Sequence, residues 1–270
     1  MSVEAAEMDQ EGYDRLQRAL KAASGLDLTA YKKKQVFRRL AGFMSRYGFA
    51  NLTVLAEAVR RDPSVRQQLT DFLAINVSEF FRNPERFDHL KAAVLPELRR
   101  TWSSLRIWSA GCSVGAEAYS LAILLEEMEP GSYHRHAVLG TDIDREALRE
   151  AEAAVFGADR LREVSPGRLQ RFFAALPGQR WQVKPSIRRY VRFMVHNLLE
   201  DPYPSGQHLI LCRNVVIYFN EAAKEKIFAQ LAASLVPGGY LLVGSTEAIF
   251  YPARFGLAAA APFLYRRVEG

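Results

Sequence analysis

The stretch Trp108–Ala122, "WSAGCSVGAEAYSLA", passes from a strand end through a turn of small residues into a helix start. Gly111 and Gly115 allow the backbone of that turn to come close to a ligand. The dinucleotide fingerprint G-x-G-x-x-G is absent, so the turn invites a nucleotide-like ligand of another kind. On either side of it, strands and helices alternate. "LRIWSA" precedes the turn and "AEAYSLAILLEEM" follows; "HAVLGTDID" leads into "REALREAEAAVF"; then come "YVRFMVHN", "HLILCRNVVIYF" before the helix "AAKEKIFAQLAASL", and "GYLLVGSTE" after Pro237-Gly238-Gly239. "PFLYRRV" is a last strand. This rhythm predicts an α/β fold with a parallel sheet covered by helices.

The rhythm fails in two places. From Tyr13 to about Leu73 every periodicity is helical. In "LTAYKKKQVFRRLAGFMSRYGF" the residues Val36, Leu40, Phe43, Met44 and Tyr47 form one apolar stripe, while Lys32, Arg39 and Arg46 share another face. "LTVLAEAVRRDP" is a helix that Asp62-Pro63 ends, and "VRQQLTDFLAI" is the next. The expected organisation is an all-α domain over residues 11–75 and an α/β domain over 76–270. Between Phe156 and Tyr190 the helix "SPGRLQRFFAAL" and the basic, turn-rich "PGQRWQVKPSIRR" mark an insertion at about 160–192.

With 270 residues, 49% of them hydrophobic, the chain can bury a large core. Two cysteines are too few for a disulfide framework, the start of the chain is acidic and polar, and no apolar run reaches membrane-spanning length. These features point to a cytoplasmic protein without membrane insertion. No Cys/His cluster has metal-ligand spacing. The net charge of +6 is unevenly spread: residues 15–66 carry twelve Lys/Arg against Asp27, Glu57 and Asp62. Such a field attracts an anionic partner.

In an open α/β sheet the ligand lies beyond the C-terminal ends of the strands. Asp142 in "GTDID" is suited to a ribose diol, although it lies farther from Gly111 than the roughly 20 residues of a dinucleotide site. Asn197 in "VHNLLED" and Arg213, Asn214 and Tyr218 in "LCRNVVIYF" end strands in the same way. "DPYP" at 201–204 has the wrong order for an amino-methyltransferase signature and reads as a turn.

"NVSEFFR" at 76–82, "WSAGCSVGAEAYSLA", "GTDID", "HNLL", "CRNVVIYF" and "LVPGGYLLVGSTEAI" follow, in order and spacing, the pattern of the CheR family of chemotaxis receptor methyltransferases, which the chain resembles over nearly its whole length. The resemblance implies a Rossmann-like S-adenosylmethionine-dependent methyltransferase domain with a small β-subdomain insertion, preceded by an all-α receptor-docking domain. It implies transfer of a methyl group to glutamate side chains on the cytoplasmic helices of chemoreceptors, with S-adenosylhomocysteine as product. By position, Asn76, Ser78 and Arg82 would line the cofactor and reaction site, with Gly111 in the turn. Glu117 would lie at the methionine part, Asp142 at the ribose and Asn197-Leu198 at the adenine. Arg213, Asn214 and Tyr218 would complete the crevice. Val114, Ala116 and Ala118 depart from the family's opening motif, and Glu117 is the acid retained.

Arg82 is the expected carboxylate-holding catalytic residue, because its fork matches two oxygens; Tyr218 is the second candidate. Lys32, Arg39 and Arg46 are expected to dock acidic receptor helices. The insertion is short for gripping a C-terminal receptor peptide, so no tether is expected. A nucleic-acid methyltransferase is the rival reading of the basic segment, and it lacks the interleaved aromatics of a single-strand binder. A non-catalytic scaffold is the third.

Overall fold

The computed structural model describes residues 9–73 and 78–268. Its strands are β1 (Arg106–Ala110), β2 (Ala137–Asp142), β3 (Val155–Gly157), β4 (Phe173–Leu176), β5 (Arg180–Val183), β6 (Val191–Val195), β7 (Gln207–Cys212), β8 (Leu235–Val243), β9 (Leu257–Ala261) and β10 (Leu264–Arg267). Seven of them form one sheet in the order β6-β2-β1-β7-β8-β10-β9. The first five of that order are parallel neighbours, and β10 runs antiparallel to both β8 and β9. From β1 the chain moves outward to β2 and β6, then returns to the far side of β1 as β7. The border between β1 and β7 is therefore a topological switch point, where a crevice opens beyond the strand ends.

Burial on both faces explains the apolar runs. All six residues of β7 are buried, and the helix Ala116–Met128 is buried at every position from Ala118 to Leu125. Strands β4 and β5 of the inserted segment pair with β3, which precedes it, as a separate antiparallel sheet, β3-β5-β4, with short helices at Pro166–Phe172 and Pro185–Arg188.

Two compact units divide the chain: Met1–Ile75 with Val216–Lys226, and Asn76–Val215 with Ile227–Gly270. The first contains helices Gln10–Ser24, Lys33–Tyr47, Leu52–Arg61 and Pro63–Leu73. Asp9 and Asn51 cap two of these helices with side-chain oxygens, and Gly25 and Gly48 end two in the left-handed conformation. Val36, Leu40, Phe43 and Met44 are buried as the stripe requires, but Tyr47 is 42% exposed and lies against Phe43 at the stripe's edge. Residues 216–226 join this unit through a Tyr31–Phe219 bridge and a hydrogen bond from Asn220 to the Thr29 carbonyl at 2.9 Å.

Three local expectations are corrected, and one strand, β9, is additional to them. "HLILCRNVVIYF" is a strand only to Cys212; Asn214 adopts φ 60° and Val216–Tyr218 is a 3-10 turn. Pro237-Gly238-Gly239 falls inside β8 rather than before it, where an irregular register against β7 absorbs the extra residues. The helix "SPGRLQRFFAAL" stops at Phe172 because Phe173–Leu176 pair with β5. "LAAAA" at 257–261, a run of helix formers, becomes strand β9 through pairing with β10.

Candidate functional site

The crevice is built from the loops that follow β1, β2, β6 and β7. After β1, Gly111 turns with φ 74° and Gly115 with φ 82°. A Cβ on Gly111 would stand 2.3 Å from Cγ2 of Val215, and one on Gly115 would stand 2.7 Å from the Phe193 ring. Both positions therefore require glycine on space as well as on conformation. The Gly111 and Cys112 amides donate to the Thr141 carbonyl at 2.8 Å, which binds this turn to the end of β2.

Asp142 closes β2 and does not cap the following helix. Asp144 does that, accepting from the amides of Glu146 and Ala147. The Asp142 carboxylate instead accepts from Ser113 N–H at 2.8 Å and Asp144 N–H at 3.0 Å. Burial raises its pKa above the ordinary aspartate value despite these donors. A carboxylate so fixed at a strand end is poised to accept hydrogen bonds from a diol.

Glu117, in the first turn of the helix after the glycines, accepts from Ser109 Oγ at 2.7 Å and pairs with Arg213 at 3.3 Å. Their side chains are 13% and 5% exposed. Arg213 also donates to the Arg82 carbonyl at 3.0 Å and to Asn83 Oδ1 at 2.6 Å. It thereby fastens the segment Phe81–Asn83, whose Phe81 and Asn83 hold positive φ of 52° and 61°, to the end of β7. Arg82 itself is half-buried. The Ser78 carbonyl accepts from Arg160 at 2.8 Å.

After β6, the Asn197 side chain accepts from Leu199 N–H at 3.0 Å, and its own amide donates to Asp201 at 2.8 Å. Leu198 is buried, and its carbonyl receives the Tyr203 hydroxyl at 2.7 Å. The turn "DPYP" thus carries a structural tyrosine, packed edge-on against Trp108 and His196 at 5.3 Å from each.

Ser78, Arg82, Gly111, Glu117, Asp142, Asn197, Leu198, Arg213 and Asn214 all belong to the second unit, where Arg213 links Glu117 to the Arg82 carbonyl. Tyr218, Lys32, Arg39 and Arg46 belong to the first unit, and Asn76 lies outside the described residues. Within the first unit, Lys32 N–H donates to the Tyr218 carbonyl at 2.9 Å and Arg46 is exposed. Arg39 does not stand clear on a basic ridge as the spacing suggested. Its guanidinium donates to the Phe72 carbonyl and lies 5.7 Å from the Phe72 ring, half-buried, and burial lowers its pKa.

One residue that the motif reading left without a role is Glu247. Its carboxylate is buried among three backbone amides, those of Asn214, Val215 and Gly244. An acid immediately after "VGST", following an apolar strand, was the available signal. Covalent cysteine chemistry does not suit the crevice, because burial pushes the Cys112 and Cys212 thiols well above their ordinary pKa. Among the described residues no helix is long and apolar enough to cross a membrane.

A family model described as "CheR methyltransferase, SAM binding domain" matches residues 76–262, and one described as "CheR methyltransferase, all-alpha domain" matches 11–74. The chemotaxis protein methyltransferase of Listeria monocytogenes is 35% identical over 257 residues, covering 95% of this chain and 97% of that protein. Chemotaxis protein methyltransferase 1 of Pseudomonas aeruginosa is 34% identical over 260 residues, covering 93% and 95%. The chemotaxis protein methyltransferase of Vibrio parahaemolyticus is 34% identical over 248 residues, covering 89% and 90%.

Proposed function

Because the chain belongs to the CheR family of methyltransferases and uses S-adenosylmethionine as its methyl donor, we propose that the acceptors are glutamate side chains on the cytoplasmic helices of chemoreceptors. The observation that carries this reading is the near full-length likeness to proteins named for chemotaxis methylation, all-α domain included.

The donor set suits a cationic nucleoside. Asp142 would take the ribose diol, Glu117 with Ser109 the ammonium of the methionine part, and Asn197 and Leu198 the adenine region. Gly111 leaves the backbone room for close approach, and Arg213 and Asn214 close the far wall. Asn76 and Ser78 would adjoin the reacting end. When bound, the cofactor supplies an electrophilic methyl group on a sulfonium sulfur.

The chain's own task is then small in chemical terms. A glutamate is ionised at neutral pH, with an ordinary pKa of about 4.3, so no general base is needed. What the acceptor needs is orientation and loss of water, since reacting atoms must meet at roughly 3–3.5 Å. Arg82 would orient the carboxylate with its two-pronged guanidinium. Its backbone carbonyl is tied to Arg213, which favours a fixed approach. Tyr218 is the second candidate for contact with the acceptor. Lys32, Arg39 and Arg46 would give the helical unit a positive field for acidic receptor helices, hastening encounter more than adding affinity. No peptide tether is included, and adding a receptor C-terminal peptide is expected to leave the rate unchanged.

The test is transfer of tritiated methyl from S-adenosylmethionine to receptor cytoplasmic fragments bearing Glu or Gln at the candidate positions. The expected label appears only with Glu and leaves as methanol in mild base, as a carboxyl ester must. Base-stable label, or label taken up by RNA instead, overturns the proposal.

A further inference from the structure

We infer that Glu247 is a positioning residue for the cofactor crevice, acting through the loop after β7; this rests on the reading of that crevice as the S-adenosylmethionine site. The Glu247 side chain belongs to a residue only 5% exposed. One of its oxygens accepts from Asn214 N–H at 2.6 Å and Gly244 N–H at 2.8 Å, and the other accepts from Val215 N–H at 2.8 Å. The loops after β7 and β8, whose strand ends pair Cys212 with Val243, are thus joined beyond the sheet by one carboxylate. A Cβ on Gly244 would meet Glu247 Oε2 at 2.2 Å, so a side chain there would push the carboxylate off its amides.

Two consequences reach the crevice. Asn214 is held in the left-handed conformation, φ 60°, that a non-glycine residue adopts at a cost and that sets where its side chain leaves the backbone. Val215 is held with its Cγ2 in the space a Cβ on Gly111 would occupy, 2.3 Å away. The carboxylate thereby shapes the glycine turn from the β7 side without lining the crevice itself. A charged acceptor of three amides makes strong hydrogen bonds, and a buried amide left unmet is costly.

Glu247→Gln tests this. The amide keeps one oxygen for Asn214 and Gly244 but turns an NH2 towards Val215 N–H. By calorimetry, its Kd for S-adenosylhomocysteine is expected to rise about tenfold or more, in proportion to the loss of one such bond. The KM for S-adenosylmethionine should rise with it while kcat at saturation stays within about threefold of the parent. The amide resonances of Asn214, Val215 and Gly244 should move upfield. Tyr190→Phe, which removes a buried hydroxyl bonded to Glu126, is the control for plain destabilisation and should leave Kd within about twofold. Val215→Ala is the second variant, should Glu247→Gln not fold, and is expected to weaken binding severalfold. Folded Glu247→Gln or Val215→Ala that binds within twofold of the parent overturns the inference alone. A parent protein that takes up no S-adenosylhomocysteine overturns it together with the site reading.

Discussion

Arg213→Met removes the guanidinium that joins Glu117, the Arg82 carbonyl and the Asn83 side chain. At 3.3 Å and an effective permittivity of about 20, the attraction between the two charges is about 5 kcal/mol. Removal of both ions from water offsets most of it, so the intact pair contributes little, whereas either charge left alone costs about 3–5 kcal/mol. We expect Arg213→Met to lose about 4 kcal/mol and Glu117→Gln about 3, the glutamine still accepting from Ser109. The double variant should lose about 4 rather than 7, a coupling of about 3 kcal/mol. All three tryptophans, Trp102, Trp108 and Trp181, lie in the second unit, so their fluorescence during urea unfolding follows that unit alone. Losses that add to within about 0.5 kcal/mol would show that the ion pair is not a coupled unit and refute the reasoning. Arg213→Met should also bind S-adenosylhomocysteine more weakly than the Tyr190→Phe control, since Phe81–Asn83 lose their anchor.

Further outcomes follow from other features. Gly111→Ala would place a methyl group at φ 74° and 2.3 Å from Val215, costing about 2–4 kcal/mol from strain and overpacking together; unaltered stability and cofactor affinity would contradict the close approach. His136 is fully buried, and its Nδ1 accepts from Leu105 N–H at 3.1 Å, leaving no room for a second proton. Burial, with Arg99 and Arg135 nearby, lowers its pKa to about 4. The unfolded chain binds that proton near pH 6.5 and the folded chain near 4, so stability is full above 6.5 and falls as pH drops through this window, by about 3 kcal/mol at most. His196 and His208, also lowered by burial, add to the same slope; His136→Gln should flatten it, as pH-resolved urea titrations would record. Lys32→Glu with Arg46→Glu should raise the KM for receptor about tenfold at low salt, leave the Kd for S-adenosylhomocysteine unchanged, and lose its effect at high salt. Unchanged receptor kinetics would sink the docking assignment. Arg39 is left intact in that test, because it also holds the Phe72 carbonyl.

The legible part of the fold was the part whose pattern follows from burial alone. "LRIWSA" and "HAVLGTDID" contain β1 and β2, and the switch at Gly111 is written in residues that tolerate positive φ. What escaped reading depended on partners distant in sequence. Ala258–Ala261 become a strand only because β10 lies alongside, and the strand through "LCRNVVIYF" breaks because Glu247, more than thirty residues on, holds Asn214 in a left-handed turn. Charge periodicity put Arg39 on an open face, yet Phe72 offers it a carbonyl and a ring that no window around Arg39 contains. In the crevice, the residue types at Glu117, Asp142 and Arg213 were legible. That two of them pair with each other was not, since a ninety-six-residue separation leaves no local trace.

The helical unit is assembled from two stretches that lie on either side of residues 76–215. During synthesis its four helices leave the ribosome long before Phe219 and Asn220, the partners of Tyr31 and Thr29, have been made. At ordinary rates of elongation the wait is roughly 8–30 s, longer than most small helical bundles take to fold. The nascent bundle must therefore persist with one margin incomplete until the chain returns. For the same reason it is not a detachable module: a gene fusion or proteolytic cut that carries away only the first 75 residues takes the bundle without its closing piece.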